Sequence, residues 1–403
     1  MPSEFIERSG LRPIINCVGY ATRVSGSCPH PDVVAAMSAA SSQYFEIDDL
    51  LTAASRLIQH STGAEAGIVT CGAGAALSLA AAACLAGNRP EIMDQLPDVS
   101  GCARSEIIFP RPGPFDYDHS LRLAGAKLVL IDYRAVDALR QIERAITPKT
   151  AAIGYVWLQV EERPDIAELA ALAHRHDLPL IVDAACALPP MENLTSFSRR
   201  GADLVAYSGG KHLGGPQASG ILCGREDLIR SAWVQMVDMD VRAGTWSLQH
   251  WVASGWIERP PRHGIGRSMK VSKEAIVGVM AALQRYAERD HQAEQGAWRA
   301  AIDQIYDGLR DLTELRLTRM ERGLNGQPYP NLQIESGTGP AGLTVRNLQL
   351  ALCSRPQKVI LAEDEQSPDR AIVYPQCLRS TDAEEIVAAI LQVVSAHRAR
   401  SSA

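Results

Sequence analysis

Between residues 67 and 223 the chain alternates short apolar runs with stretches of helical periodicity, and few folds accommodate that alternation. Residues 67–70, 107–109, 128–131, 151–158, 180–182, 203–207 and 219–223 read as strands. They are short, aliphatic and bounded by small or polar residues. Helical patterns cover 76–86, 117–123, 135–145 and 165–176, and two more, 31–44 and 48–60, precede the first strand. Strands joined through helices pair in parallel, because only a long crossover brings the chain back in the same direction. Their near-continuous apolar character asks for cover on both faces. The pattern predicts an α/β fold with a largely parallel sheet between helices.

The texture changes over 238–261, which is rich in Trp, Arg and Pro. A long helix over 272–287 and another near 293–312 follow, then mixed strands and helices. The division expected is an N-terminal segment 1–30, a large α/β domain 31–264 and a smaller α+β domain 265–403. The polar tail from Arg398 is expected to fray.

Composition narrows the function classes. The formal net charge of −6 over 403 residues argues against a general nucleic-acid surface or a polybasic membrane binder. The longest apolar run, 75–86, falls short of the roughly 18–20 residues a membrane span needs. Residues 1–12 are polar and lack the apolar stretch of a secretory signal. The nine cysteines are scattered and never spaced CxxC, so zinc ribbons and thioredoxin chemistry are not expected. They read as small buried residues in a reducing, cytoplasmic compartment.

Three constellations carry chemistry. Asp183 follows the apolar run Leu180-Ile181-Val182, which places a carboxylate at the carboxyl edge of a parallel sheet, where open α/β folds bind ligands. A capping or turn role is the structural alternative. In Tyr207-Ser208-Gly209-Gly210-Lys211-His212-Leu213-Gly214-Gly215 a lysine is flanked by glycines. Such a turn suits a lysine that bonds a carbonyl as a Schiff base. The Walker order fails, since the residue after Lys211 is His212. In Thr70-Cys71-Gly72-Ala73-Gly74-Ala75 a strand, a glycine turn and a helix start put unpaired N–H groups and the positive helix end at one point, an anion site. Tight packing through small residues is the alternative there. Pyridoxal 5′-phosphate requires all three: an anion cradle, a carboxylate for its ring nitrogen and a lysine for its aldehyde.

At these residues the sequence resembles the fold-type-I pyridoxal-phosphate enzymes. More narrowly, it resembles the bacterial family of selenocysteine synthases of the selenium-transferase type, which includes D-glucosaminate-6-phosphate ammonia-lyase-like proteins. The matching stretches are 15–23, 61–66, 181–185, 208–211, 215–220 and 264–271. The resemblance implies that Lys211 holds the cofactor and shuttles the α-proton, and that Asp183 pairs with the ring nitrogen. It implies that Ala73, Gly74, Ala75 and Ser208 bind the phosphate. Arg267 would reach a phosphate or substrate carboxylate across a subunit interface, since guanidinium forks bind both. Arg23, in an N-terminal segment expected to contribute to the active site, is a further carboxylate candidate. His212 is a candidate substrate contact or proton relay, against a packing role.

The sequence departs from the family in two loops. Gly113 stands where relatives carry a ring-stacking histidine, leaving Phe115 or His119 as substitutes, and 157–162 is unusual. The segment 233–256, with Asp238, Asp240, Arg242, Trp246, His250 and Trp251, reads either as a substrate-reading surface or as a subunit interface. No metal is expected, because Asp116, Asp118 and His119 have no second cluster to complete a site.

The expected function is a lyase that labilises Cα–H of a small amino acid or amino sugar acid and eliminates ammonia. Racemase, aldolase and aminotransferase outcomes share the scaffold. A selenium transferase acting on charged tRNA is the alternative of another class, and a non-catalytic cofactor binder a third. A homodimer or higher homo-oligomer with shared sites is expected, without nucleic acid or membrane.

Overall fold

The computed structural model describes residues 2–111, 117–158, 164–238, 240, 242–324, 326–338, 343–364 and 367–401. Contacts divide the chain into two compact units, Cys28–Glu288 and Met1–Ser27 with Arg289–Ala403. The division therefore falls later than the texture change suggests. The helix Lys273–Glu288 belongs to the larger unit because it packs along helices Pro31–Ser41 and Ile47–Thr62. Ile276, Val279, Ala282, Leu283 and Tyr286 form its buried stripe. The first strand, β1 (Ile15–Cys17), joins the smaller unit instead, pairing in parallel with Val359–Glu363.

The larger unit is built on seven strands: β2 (Ala66–Thr70), β3 (Glu106–Pro110), β4 (Lys127–Ile131), β5 (Thr150–Val156), β6 (Leu180–Asp183), β7 (Leu204–Ser208) and β8 (Gly220–Gly224). Their order is β2-β8-β7-β6-β5-β3-β4. β8 runs antiparallel to both neighbours, and the other pairings are parallel. The strands β2, β5 and β8 are buried along their whole length, as a doubly covered sheet requires. At the open edge β4 is largely solvated, and Lys127 is exposed there.

The helix Ala73–Ala86 crosses under β5, β6, β7 and β8. Its buried positions are mostly alanine, which lets helix and sheet approach closely. Leu77, Leu79 and Leu85 supply its larger contacts, each stabilising by about 1.5–3 kcal/mol when buried. Helix Asp165's pattern is realised as Ile166–Arg175, with the Asp165 carboxylate accepting the Ala167 N–H at 2.7 Å as an N-cap.

The smaller unit carries β9 (Leu315–Met320), β10 (Asn331–Ser336), β11 (Val359–Glu363) and β12 (Arg370–Val373), in the order β1-β11-β12-β10-β9. Helices His291–Leu309, Val345–Cys353 and Asp382–Ser401 complete it around Ile302, Ile305, Leu332, Ile334, Ile386 and Ile390. The tail does not fray at Arg398, because its guanidinium donates to both oxygens of buried Glu314, at 2.6 and 2.8 Å, and the helix continues to Ser401.

No disulfide forms among the described residues, which include all nine cysteines. Only Cys17 and Cys223 are buried, so the expectation of uniformly buried cysteines is corrected; burial pushes the Cys223 thiol up to about 12. No helix of the described residues is long and apolar enough to cross a membrane.

The Glu314–Arg398 pair gives the smaller unit an acid-sensitive lock. Hydrogen bonding to Arg398 holds the Glu314 carboxyl down at about 2. A depressed carboxyl stabilises the fold above its unfolded pKa, near 4.3, and loses that contribution as pH falls through the folded value. Glu314→Gln should therefore lose stability on the order of 2 kcal/mol at neutral pH and show a flatter melting profile between pH values of about 5 and 2. Identical pH slopes in wild type and variant would remove the lock.

Candidate active site

The register of the larger sheet collects the chemistry at one edge. Thr70, the last residue of β2, pairs with Gly220, the first of β8, and Gly220 pairs in turn with Ser208, the last of β7. Asp183, the last of β6, lies opposite Ala206, and Val156 of β5 opposite Asp183. The antiparallel β8 starts where its neighbours end. The loop 209–219 therefore hangs over the carboxyl ends of β2, β6 and β7.

The turn from β2 into the helix Ala73–Ala86 is held open by backbone geometry. Gly72, the N-cap, has φ of 147°, which side chains rarely adopt, and it offers no side chain to satisfy the helix start. Thr70 Oγ1 donates to Gly72 O at 2.9 Å. The first intrahelical bond runs from Ala76 N–H to Gly72 O, which leaves the N–H groups of Ala73, Gly74 and Ala75 without intrahelical acceptors. All three residues are half-exposed. Beside them Gly220 leaves no room: a Cβ there would lie 2.5 Å from Gly72 C and 2.7 Å from Ala73 N. The strand carrying the lysine loop thus presses backbone to backbone on the anion turn.

Lys211 is fixed from both sides. Gly209 N–H donates to Ser219 O at 2.9 Å, Gly215 N–H to Gly209 O at 2.8 Å and Gly214 N–H to Lys211 O at 2.9 Å. Nζ of Lys211 reaches Sγ of Cys186 at 2.9 Å. Burial pulls the lysine towards its neutral form, but Cys186, Asp183 and Tyr117 oppose it, and the net direction is upward. Asp183 is 7% exposed and its Oδ1 accepts the Ala185 N–H at 3.0 Å. Trp157 flanks it, donating its backbone N–H to Asp183 O at 2.9 Å and packing edge-on against Phe197.

Asp183, Lys211, Ser208 and the helix start at Ala73–Ala75 are thus brought to one sheet edge, as read from the sequence. His212 is buried and packs edge-on against Tyr286 at 5.5 Å. Arg23 lies exposed on the turn Thr22–Val24 of the smaller unit. Arg267 instead pairs with Asp238 at 2.7 Å. Both line a cavity of about 740 Å³ whose lining includes neither Lys211 nor Asp183. Three tryptophans of the segment 233–256 pack together, and two of them, Trp233 and Trp246, also line that cavity. Trp233, Trp246 and Trp251 are buried and pack on one another, and Trp233 Nε1 donates to Asp48 at 2.9 Å. Gly113, Phe115, Asp116 and 159–162 lie outside the described residues. Sequence reasoning missed Cys186; its one signal was its place three residues beyond Asp183.

The Gly220 contact is directly testable. Gly220→Ala should destabilise the larger unit by about 1–3 kcal/mol, because neither Gly72 nor Ala73 has a flexible side chain to give way. It should also weaken phosphate binding at the helix start, measured by calorimetry. Wild-type stability and wild-type phosphate affinity together would overturn this account of the cradle.

The chain resembles known proteins over most of its length. It is 28% identical over 360 residues to the D-glucosaminate-6-phosphate ammonia lyase of Salmonella typhimurium, covering 87% of each chain. It is 29% identical to the 5′-C-glycyluridine monooxygenase-decarboxylase of a Streptomyces species, over 71% of this chain and 67% of that one. A solved structure of D-glucosaminate-6-phosphate ammonia-lyase superposes with a TM-score of 0.79 at 25% identity, over 98% of this chain and 99% of the other. The architecture is that of the fold-type-I pyridoxal-phosphate enzymes. The family model of SelA, L-seryl-tRNA selenium transferase, matches residues 33–243, just over half of the sequence, and the chain belongs to that family.

Proposed function

We propose that this protein is a pyridoxal-phosphate-dependent ammonia lyase acting on a small amino acid or amino sugar acid. The observation that carries the proposal is the sheet register that sets an open helix start, a buried carboxylate and a fixed lysine at one edge. The residues present fit the cofactor: a half-exposed anion turn closed by glycine, and a lysine and an aspartate that interact electrostatically. The likeness to an ammonia lyase over nearly the full length supports the reaction class.

When bound, pyridoxal phosphate supplies an electron sink and a reactive aldehyde. The N–H groups of Ala73, Gly74 and Ala75, with the Ser208 hydroxyl, hold the phosphate dianion at the positive helix end. The Asp183 carboxylate would keep a proton on the ring nitrogen, and its burial would strengthen that interaction. Lys211 Nζ would hold the cofactor's aldehyde, and as a free amine it would be the base for the proton on Cα. The same Nζ can then return a proton to a departing group.

Arg267 has no place beside Lys211 in the lining of its own cavity, and we assign it to the site of a second chain, where its fork would bind a phosphate or carboxylate. Arg267 pairs with exposed Asp238 here, a partner it can exchange for a ligand.

Borohydride treatment of the cofactor-loaded protein should fix the cofactor to the peptide containing Lys211. Lys211→Met should lose the bound cofactor's visible absorbance and at least about 10²–10⁴-fold in ammonia release. A Lys211→Met protein that still turns over would sink the assignment. Substrates are to be screened among D- and L-amino acids, sugar acids and their phosphates, with ammonia as the readout. If Arg267 acts across subunits, mixing inactive Lys211→Met with inactive Arg267→Gln chains should restore part of the activity; no recovery, with mixed oligomers verified, would return Arg267 to a structural role.

The family's selenium-transferase description motivates a second reading, with charged tRNA as substrate. The net charge of −6 disfavours it. A gel shift with total tRNA at low salt decides between them.

A further inference from the structure

The turn that follows β6 does more than place Asp183. It carries Cys186 to 2.9 Å from the amine of Lys211, a contact that none of the roles assigned above uses. The turn is held in three places. Ala185 N–H donates to Asp183 Oδ1, Ala187 N–H to Ala184 O at 3.0 Å, and Asn193 Nδ2 to Ala187 O at 2.8 Å. The lysine loop is pinned independently by Gly209, Gly214 and Gly215. Two separately anchored segments therefore present sulfur and nitrogen to each other in half-buried surroundings.

The chemistry of the lysine makes such a neighbour consequential. An ammonium cannot attack an aldehyde or take a proton from carbon, whereas a neutral amine can. The groups that act on Nζ electrostatically are Cys186, Asp183 and Tyr117. Asp183 is tied to the turn and Tyr117 is largely exposed, and among the described residues Cys186 is the one of these in direct hydrogen-bond contact with Nζ.

We propose that Cys186 is the proton-sharing partner of Lys211: whenever the lysine is not bonded to the cofactor, Nζ donates to Sγ and a proton passes between them. In each transfer one S–H bond breaks as one N–H bond forms, or the reverse, and nothing is oxidised. Cys186 acts through Lys211 and is a positioning residue for its charge. The pair gives the site a second proton carrier next to the one that meets the substrate. This inference rests on Lys211 being the cofactor lysine.

The experiment approaches the pair from both ends. In cofactor-free protein, iodoacetamide alkylation of Cys186 is followed by peptide mass spectrometry in wild type and Lys211→Met. Loss of the neighbouring cation should slow alkylation of Cys186 about ten-fold at neutral pH, because an adjacent opposite charge favours the thiolate. Separately, the rate at which cofactor-free protein takes up pyridoxal phosphate is measured against pH in wild type, Cys186→Ala and Cys186→Ser. Removing the thiolate lowers the lysine's affinity for a proton, so the rising limb should move to lower pH by about one unit or more in both variants. Serine restores a hydrogen-bond acceptor of similar shape but not the charge, so a merely structural role predicts the wild-type limb in Cys186→Ser. A wild-type limb there, or equal alkylation in wild type and Lys211→Met, overturns the proposal. Each variant decides alone if the other fails to fold. Failure of borohydride to fix the cofactor at Lys211 in wild type would instead strike the proposed function, and the alkylation arm would still judge the pair.

Discussion

Everything at the site depends on the approach of two backbones, the start of β8 at Gly220 and the turn at Gly72 and Ala73. The antiparallel strand must begin there for the lysine loop to overhang its parallel neighbours. A single methyl group would separate the lysine loop from the anion turn. Hydrophobic burial of strands such as β2, β5 and β8 stabilises the sheet, but it is indifferent to that spacing. Two glycines convert a generic α/β core into a surface with donors, an acid and an amine in register.

The electrostatics follow from this placement. Asp183 ends its strand at a depth where water is scarce, so its charge acts on neighbours with little screening. Lys211 is subject to burial in one direction and to three acidic groups in the other, and the acidic groups prevail. A lysine so held is an ammonium until a neighbour or a ligand relieves it. The chain resembles an ammonia lyase and a monooxygenase-decarboxylase and belongs to a family described as a selenium transferase, so its likenesses carry different chemistries.

Much of this was legible in the sequence, for physical reasons. Asp183 and Lys211 announced themselves because strand ends and glycine turns are local features, written within a few adjacent residues. The Gly72 turn was legible on the same grounds. Cys186 was not, because its partner is 25 positions away and their meeting is set by two loops whose paths periodicity does not encode. The tryptophans of 233–256 suggested a reading surface or an interface, and three of them pack as a core cluster while Trp233 and Trp246 also line a cavity. Composition cannot distinguish an aromatic that waits for a ligand from one that has found a neighbour. The unit boundary was misplaced for a related reason: the helix Lys273–Glu288 carries an apolar stripe that fits either unit, and only its packing on Pro31–Ser41 decides.

The strand β1 carries a consequence for how the chain is made. Ile15 pairs with Val359, so the edge of the smaller sheet joins two segments separated by the whole of the larger unit. The larger unit, Cys28–Glu288, is synthesised in full while that edge waits. Chains fold domain by domain as they emerge, and pairings between distant segments form slowly. β1 therefore waits unpaired on the nascent chain until Val359–Leu361 have been made, and the edge of the smaller sheet closes only then.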